Sequence, residues 1–412
     1  MRGPKLAAGH QLQLLHRGAE FFAALVHAID QAQWEVRLET YIFHFDKVGE
    51  RVAHALVRAA ERGAAVTLVM DGIGTPEVPE RWRKRFSDAG VHWVRFSPLG
   101  HLGLLIPGRW RRLHRKLCVV DAHIAFCGGI NVLDDHFQFH HGHQSIPRFD
   151  FAVRVQGPLV QDVRAAMLQL WRRLELRQDL EQLHLGEVGR WLQGESHSAA
   201  PVQDGGAADG LPALEAATAV QGALAALVLR DNVLHRRHIE RAYLSAIAQA
   251  TQEVVIANAY FIPGRKLRRA LAHAVSRGVK VQVLVQGRYE YFMQYHAAKP
   301  AFAELLKAGV HIHEYRAGFF HAKVAVVDGH WATVGSSNLD PLSLLLAREA
   351  NVVVDNPQFA QALRASLHRA IAQDSQRLDA QALQRRPWQQ KAKDGLAYGL
   401  MRLSLFLTGR RY

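Results

Sequence analysis

Cysteine is almost absent. The chain has only Cys118 and Cys127, too few for a disulfide framework or a zinc cluster, so both read as core thiols in a reducing compartment. They flank the Ala122-His123 turn almost symmetrically, which would make them cross-strand neighbours. No run approaches the ~18 consecutive apolar residues that span a bilayer. Lys5, His10 and His16 interrupt the first residues before a signal-peptide core can form. An intracellular protein without a spanning helix is expected. Acidic residues are also short: 37 Asp+Glu against 51 Lys+Arg leave a net charge of +14, and such a surface attracts nucleic acid or anionic lipid headgroups alike. No G-x4-G-K-[ST] nucleotide loop occurs.

Apolar residues at 49% and charged residues at 21% supply a sizeable core and exclude wholesale disorder, and 412 residues suit two domains. Hydrophobic periodicity predicts a strand at Val36–Phe43, a helix at Val48–Arg62 and a strand at Ala65–Met70. The same order returns at Glu253–Ile262, Lys266–Arg277 and Val279–Val285. Arg62-Gly63 parallels Arg277-Gly278, and Ala89-Gly90-Val91-His92 parallels Ala308-Gly309-Val310-His311, each glycine suited to the left-handed turn that ends a helix. The chain reads as a duplicated α/β unit. Expected boundaries are a first half at 1–193, a flexible linker at 194–222, a second half at 223–374 and a basic, apolar tail at 375–412.

One chemical signature occurs in each half. His114, Lys116, Asp121, Gly128 and Asn131 recur with identical spacing as His321, Lys323, Asp328, Gly335 and Asn338. In a strand, residues i and i+2 share a face, so each histidine lies beside a cation. Asp121 and Asp328 fall on the opposite face in the turns Asp121-Ala122-His123 and Asp328-Gly329-His330, which gives them a structural role rather than one in proton transfer. Asn131 and Asn338 follow the next strand, where an amide could bind an anionic oxygen.

This H-x-K-x4-D-x6-G-x2-N pattern, present twice, resembles the phospholipase D superfamily. Val334-Gly335-Ser336-Ser337-Asn338-Leu339-Asp340-Pro341, Ala257–Gly264 and Leu38–Phe43 are similar to bacterial cardiolipin synthases. The resemblance implies two tandem phospholipase D-like α/β/α sandwich repeats, related by a pseudo-twofold axis and sharing one active site. It implies that one histidine attacks phosphorus while the other protonates the departing alcohol, His114 being the nucleophile and His321 the acid. Lys116, Lys323, Asn131 and Asn338 would bind the phosphoryl oxygens. Asp150 and Glu349 would support His114 and His321, respectively. No metal or other cofactor is implied. The expected partners are anionic phospholipids, phosphatidylglycerol above all, at the cytoplasmic side of a bacterial inner membrane, with no nucleic acid; the other reading is a nuclease of the same superfamily.

The remaining signals have two readings each. His136, His140, His141 and His143 match no zinc spacing and read as a loop. Between Gly90 and His114 the first half is 12 residues longer than the second between Gly309 and His321. This insertion carries the apolar Leu102–Pro107 and then Arg109-Trp110-Arg111-Arg112, suited to lipid headgroups or to an ordinary surface loop. Leu396–Leu407, flanked by Lys391, Lys393, Arg410 and Arg411, suits either a helix in a membrane interface or one docked on the core.

Overall fold

The computed structural model describes residues 3–100, 107–139, 142–190, 219–231, 235–288, 292–340 and 347–407. Its centre is an antiparallel seam between strands Ala7–His16 and Ala219–Arg230. From this seam the sheet unrolls in the same order on both sides. The first half continues through Phe151–Gln156, Ile124–Gly128, Lys116–Val120, Glu35–Thr40, Ala65–Asp71 and His92–Phe96. The second continues through Ala347–Asp355, Trp331–Gly335, Lys323–Val327, Glu253–Asn258, Lys280–Gln286 and His311–Tyr315, with Ser375–Arg377 added at the edge. The duplication inferred from spacing is thus a duplicated α/β topology.

The β-α-β reading holds closely: strands Glu35–Thr40 and Ala65–Asp71 pair in parallel around helix Lys47–Glu61, and Glu253–Asn258 and Lys280–Gln286 do so around helix Arg265–Ser276. Asp46 caps the first helix by accepting from Val48 N and Gly49 N at 3.0 and 2.9 Å. Gly90 and Gly309 end later helices with φ of 80° and 89°, a region costly for residues with a Cβ.

Strand alternation separates three apolar layers. Leu117, Val119, Ala125 and Val153 of the first half and Val324, Val326, Val352 and Val354 of the second join one shared core with helices Leu159–Arg190 and Pro357–Gln373. Residues of the opposite pleat, such as Val120 and Phe126, or Val254 and Ala325, face an outer helical layer on their own half. The halves are therefore fused through a common interior, which fixes their relative position.

Two expectations need correction. Cys118 lies opposite Phe126 and Cys127 opposite Leu117, so the thiols are one register step apart and face different cores. They are buried and form no disulfide, and burial raises both thiol pKa values, that of Cys127 to about 12. The expected linker ends too late, because Ala219–Gly222 already belong to the central seam; its remaining residues lie outside the described ones. Alternation is irregular there, since Gly222 has φ 67° and the pairing shifts register.

The tail forms helix Trp388–Leu407 against helix Phe292–Lys307. Asp394 is buried between His296 at 2.6 Å and Arg386 at 2.7 Å, and Ala397 is fully buried. Trp388 and Leu396 nevertheless remain 75% and 63% exposed. The helix is docked along one stripe and bare on another.

The two turn aspartates tie strands together. Asp121 accepts from the backbone N–H of Gln33, Trp34 and Glu35 at 2.8–3.0 Å, and Asp328 accepts from Thr251, Gln252 and Glu253 at 2.8–2.9 Å. Charge-assisted bonds of this kind are worth roughly 1.5–3 kcal/mol each, and losing one acceptor orphans three donors. Asp121→Ala is expected to lower unfolding free energy by about 2–4 kcal/mol, read as a drop in urea midpoint at unchanged slope. A variant as stable as the parent would remove this role.

Candidate active site

Each motif histidine is delivered to the opposite half. Arg112–Leu113 leaves its own sheet and pairs in parallel with Ala347–Arg348, and His114 N donates to Arg348 O at 2.9 Å. The mirror arrangement joins Phe149 to Phe320: Phe149 N donates to Phe319 O at 2.8 Å and His321 N to Phe149 O at 2.9 Å. Glu349 and Asp150 follow directly on these pairings.

The carboxylate supports are consequently crossed. His114 Nδ1 lies 3.1 Å from Glu349 Oε1, and His321 Nδ1 lies 2.7 Å from Asp150 Oδ2. This reverses the expected partners: spacing counted along one half misses the exchange, because the segment before each histidine crosses the seam. A carboxylate behind Nδ1 orients each ring and leaves Nε2 as the reactive atom.

Both lysines stand beside their histidines, as the i, i+2 spacing requires. Lys116 Nζ donates to His114 O at 2.7 Å and Lys323 Nζ donates to His321 O. Burial and the neighbouring Lys323 charge pull Lys116 down to about 7. Burial, reinforced by Lys116, lowers His114 to about 4, and burial with Lys323 and Lys116 holds His321 well below the ordinary histidine range. The two lysines form a positive pocket whose missing partner is an anion, with neutral imidazoles on either side. Tyr41 closes the His114 side, its ring 5.0 Å from the imidazole and 5.5 Å from Lys116 Nζ.

The loops after the next strands carry the asparagines. Asn131 Oδ1 accepts from Ile42 N at 3.1 Å, and Asn338 Oδ1 is buried with no hydrogen-bond partner among the described residues. Asn258 pins the second loop by accepting from Leu339 N at 3.1 Å and donating to Ser337 O at 3.2 Å. Asp121 and Asp328 are at the other end of their strands, roughly 20 Å of extended chain from the histidines, and touch none of this chemistry.

Arg230, fully buried, reaches Glu349 with Nη2 3.3 Å from Oε2. No local pattern marked it: it is the last residue of an apolar strand. Burial opposes charge on Glu349, but Arg230 and His114 outweigh it and keep the carboxylate below its ordinary range. Asp71 was also missed. It is fully buried, accepts from Leu113 N at 2.8 Å and pairs with Arg112 at 3.1 Å, and so holds the approach to His114. This corrects the reading of the insertion: Arg112 turns inward to neutralise Asp71, and Arg109 donates to Leu99 O at 2.9 Å, leaving Arg111 exposed. The apolar tip at 101–106 lies outside the described residues. Among the histidine cluster, His136 and His143 stack at 5.5 Å, while His140 and His141 lie outside the described residues.

Comparison with known proteins accords with this arrangement. The family model described as cardiolipin synthase, PLD-like domain, matches residues 25–146 and 243–371. Cardiolipin synthase B of Escherichia coli K12 is 38% identical over 401 residues, covering 97% of this chain and 90% of that protein. A cardiolipin synthase of Alkalihalophilus pseudofirmus is 30% identical over 343 residues, covering 83% and 62%. In fold, the chain resembles the crystal structure of phosphatidylserine synthase from Haemophilus influenzae, with a TM-score of 0.65 at 14% identity over 97% of this chain and 96% of that one.

Gly129 gives the geometry a direct test, because a Cβ there would collide with the Asp150 carboxylate. Gly129→Ala is expected to displace Asp150 from His321 and reduce turnover more than tenfold, since ångström-scale misplacement of a reacting group costs about two orders of magnitude. The far-ultraviolet spectrum should not change. Full activity in a folded Gly129→Ala would mean that Asp150 does not need this position.

Proposed function

The chain belongs to the cardiolipin synthases with a phospholipase D-like domain, and on that premise we propose that it is a phosphatidyltransferase that converts two phosphatidylglycerols to cardiolipin and glycerol within the His114–His321 cleft. The observation that carries the reading is the pair of histidines, each backed by the other half's carboxylate, around two buried lysines.

The chemistry proceeds in two balanced steps. His114 Nε2 attacks the phosphorus of the first lipid; the P–O bond to glycerol breaks, and the departing oxygen takes the proton of His321 Nε2. The free glycerol hydroxyl of a second phosphatidylglycerol then gives its proton back to His321 and attacks phosphorus, breaking the P–N bond and freeing His114. Lys116, Lys323 and the amides of Asn131 and Asn338 hold the non-bridging oxygens as charge shifts. One phosphodiester replaces another, so the free-energy change is small and no energy-rich nucleotide enters.

The substrates are lipids, and the surface supports a peripheral position on the cytoplasmic side of the bacterial inner membrane. None of the described helices is long and apolar enough to cross a membrane. The chain leading into helix Trp388–Leu407 passes Leu306 and Gly309 at Ala380, beyond one end of helix Phe292–Lys307, and Asp394 meets His296 near the other end, so the two helices run antiparallel. Beyond Asp394 it continues for 13 residues, roughly 20 Å at 1.5 Å per residue, whereas only about 6 Å of its neighbour remains beyond His296. That end follows strand Lys280–Gln286, whose outlet by Tyr260 and Arg288 adjoins the His321 loop. Exposed Trp388, Leu396 and Leu400, with Lys391 and Lys393, suit an anionic interface.

Purified protein with phosphatidylglycerol vesicles is expected to yield cardiolipin by mass spectrometry of the lipids. His114→Ala and His321→Ala should each reduce it by at least about 10³-fold while folding normally. Labelled glycerol should appear in phosphatidylglycerol, and excess glycerol should suppress cardiolipin. Degradation of nucleic acid without lipid products would overturn the assignment. Deleting residues 394–412, or raising the salt, should weaken sedimentation with anionic vesicles; unchanged sedimentation in both would make the tail purely structural.

A further inference from the structure

The two halves of the site are not equivalent, and the difference lies behind the carboxylates. In the second half, Arg230 stands directly opposite Glu349 in the strand register, with Nη2 3.3 Å from Oε2 and both side chains completely buried. In the first half the matching position across from Asp150 is Arg17, since His16 opposes Phe151 and Arg17 N donates to Asp150 O at 2.9 Å. Arg17 has φ 64° as the chain turns into helix Arg17–Asp30, and its guanidinium lies 6.0 Å from the Phe149 ring. Among the described residues Asp150 has no arginine ion pair; its oxygens bind His321 Nδ1 at 2.7 Å and Phe151 N at 2.8 Å.

We propose that Arg230 is a positioning residue that makes the symmetric site directional: by pairing with Glu349 it keeps that carboxylate charged behind His114, leaving the Asp150–His321 pair, whose carboxylate has no arginine partner among the described residues, to carry the transferable proton. This rests on the phosphatidyl-transfer reading and deepens it. With Glu349 ionised, His114 keeps its Nδ1 proton on the carboxylate side and its Nε2 lone pair for phosphorus. Asp150 is pushed up to about 7 by burial, against the pull of Lys323 and Lys116, so near neutrality this dyad holds a proton that passes through His321 Nε2 to the departing glycerol oxygen. The acceptor hydroxyl returns it. The groups acting on Glu349 are Arg230, His114, Lys116, Ser337 and Tyr243, and of these Arg230 is the permanent cation.

The sign of the pH effect follows. Removing the cation raises the pKa of Glu349, so the acid limb of kcat/KM moves to higher pH. In Arg230→Met that limb is expected to shift up by at least one pH unit and kcat at pH 7 to fall at least tenfold, while Arg230→Lys keeps the wild-type limb. In the Glu349→Gln background, where no charge remains to be held, adding Arg230→Met should change the rate less than twofold. That double variant buries no lone carboxylate and covers the case in which Arg230→Met does not fold. Quenched reactions with labelled phosphatidylglycerol should place the phosphohistidine on His114 by peptide mass spectrometry. An unmoved acid limb in folded Arg230→Met, a further large loss in the double variant, or label on His321 would overturn the proposal. Difference infrared spectra of wild type against Glu349→Gln read the same point without lipid. An ionised-carboxylate band at pH 7 supports the role of Arg230, and a protonated carboxyl band overturns it, whether or not cardiolipin is the product.

Discussion

Everything in the cleft depends on two short parallel pairings that cross between the halves: Arg112–Leu113 on Ala347–Arg348, and Phe149 on Phe320. They bring each histidine to a carboxylate that its own half does not contain. A duplicated fold could place two complete sites back to back. Here the exchange makes one site from both copies, because neither histidine has its Nδ1 partner until the seam has closed.

This arrangement concentrates ionisable groups where water cannot screen them. Two lysines, two carboxylates and Arg230 are buried beneath two partly exposed histidines, and the protein tolerates them because the charges oppose one another in pairs. Unpaired, each would cost several kcal/mol of desolvation. The residual imbalance is positive and awaits an anionic phosphate. Fixed cations and amide dipoles need not reorganise when charge moves during the reaction, which is where such sites gain most of their rate. The apolar layers on both sides of the strands keep these groups rigid: Val324, Val326 and Phe320 lock the strand that begins at Lys323 as firmly as Leu117 and Val119 lock its counterpart.

What the sequence made legible was local and periodic. The alternation of Lys116–Val120 and Lys323–Val327, the glycines after each helix and the identical His-to-Asn intervals were enough to read the β-α-β units, the duplication and the residues gathered in the cleft. Features set by pairing between distant segments were not legible. Cys118 and Cys127 looked like neighbours because the turn length allows it, but a single register step puts them on opposite faces. Asp150 and Glu349 were recognisable as supports, yet their partners depended on a crossing that leaves no trace in spacing. Arg230 ends an ordinary apolar strand, and only the register against Glu349 gives it a meaning.

The crossing also has a consequence in time. Glu349 is synthesised 235 residues after His114, and at 5–20 residues per second this interval is on the order of tens of seconds. During that period the first half can build its own outer core and helices, but the emerging chain has His114 without its carboxylate and Asp150 without its histidine. The site is therefore incomplete on the nascent chain until Glu349 has emerged and the second half has packed on the first, so chemical competence is a property of neither half alone.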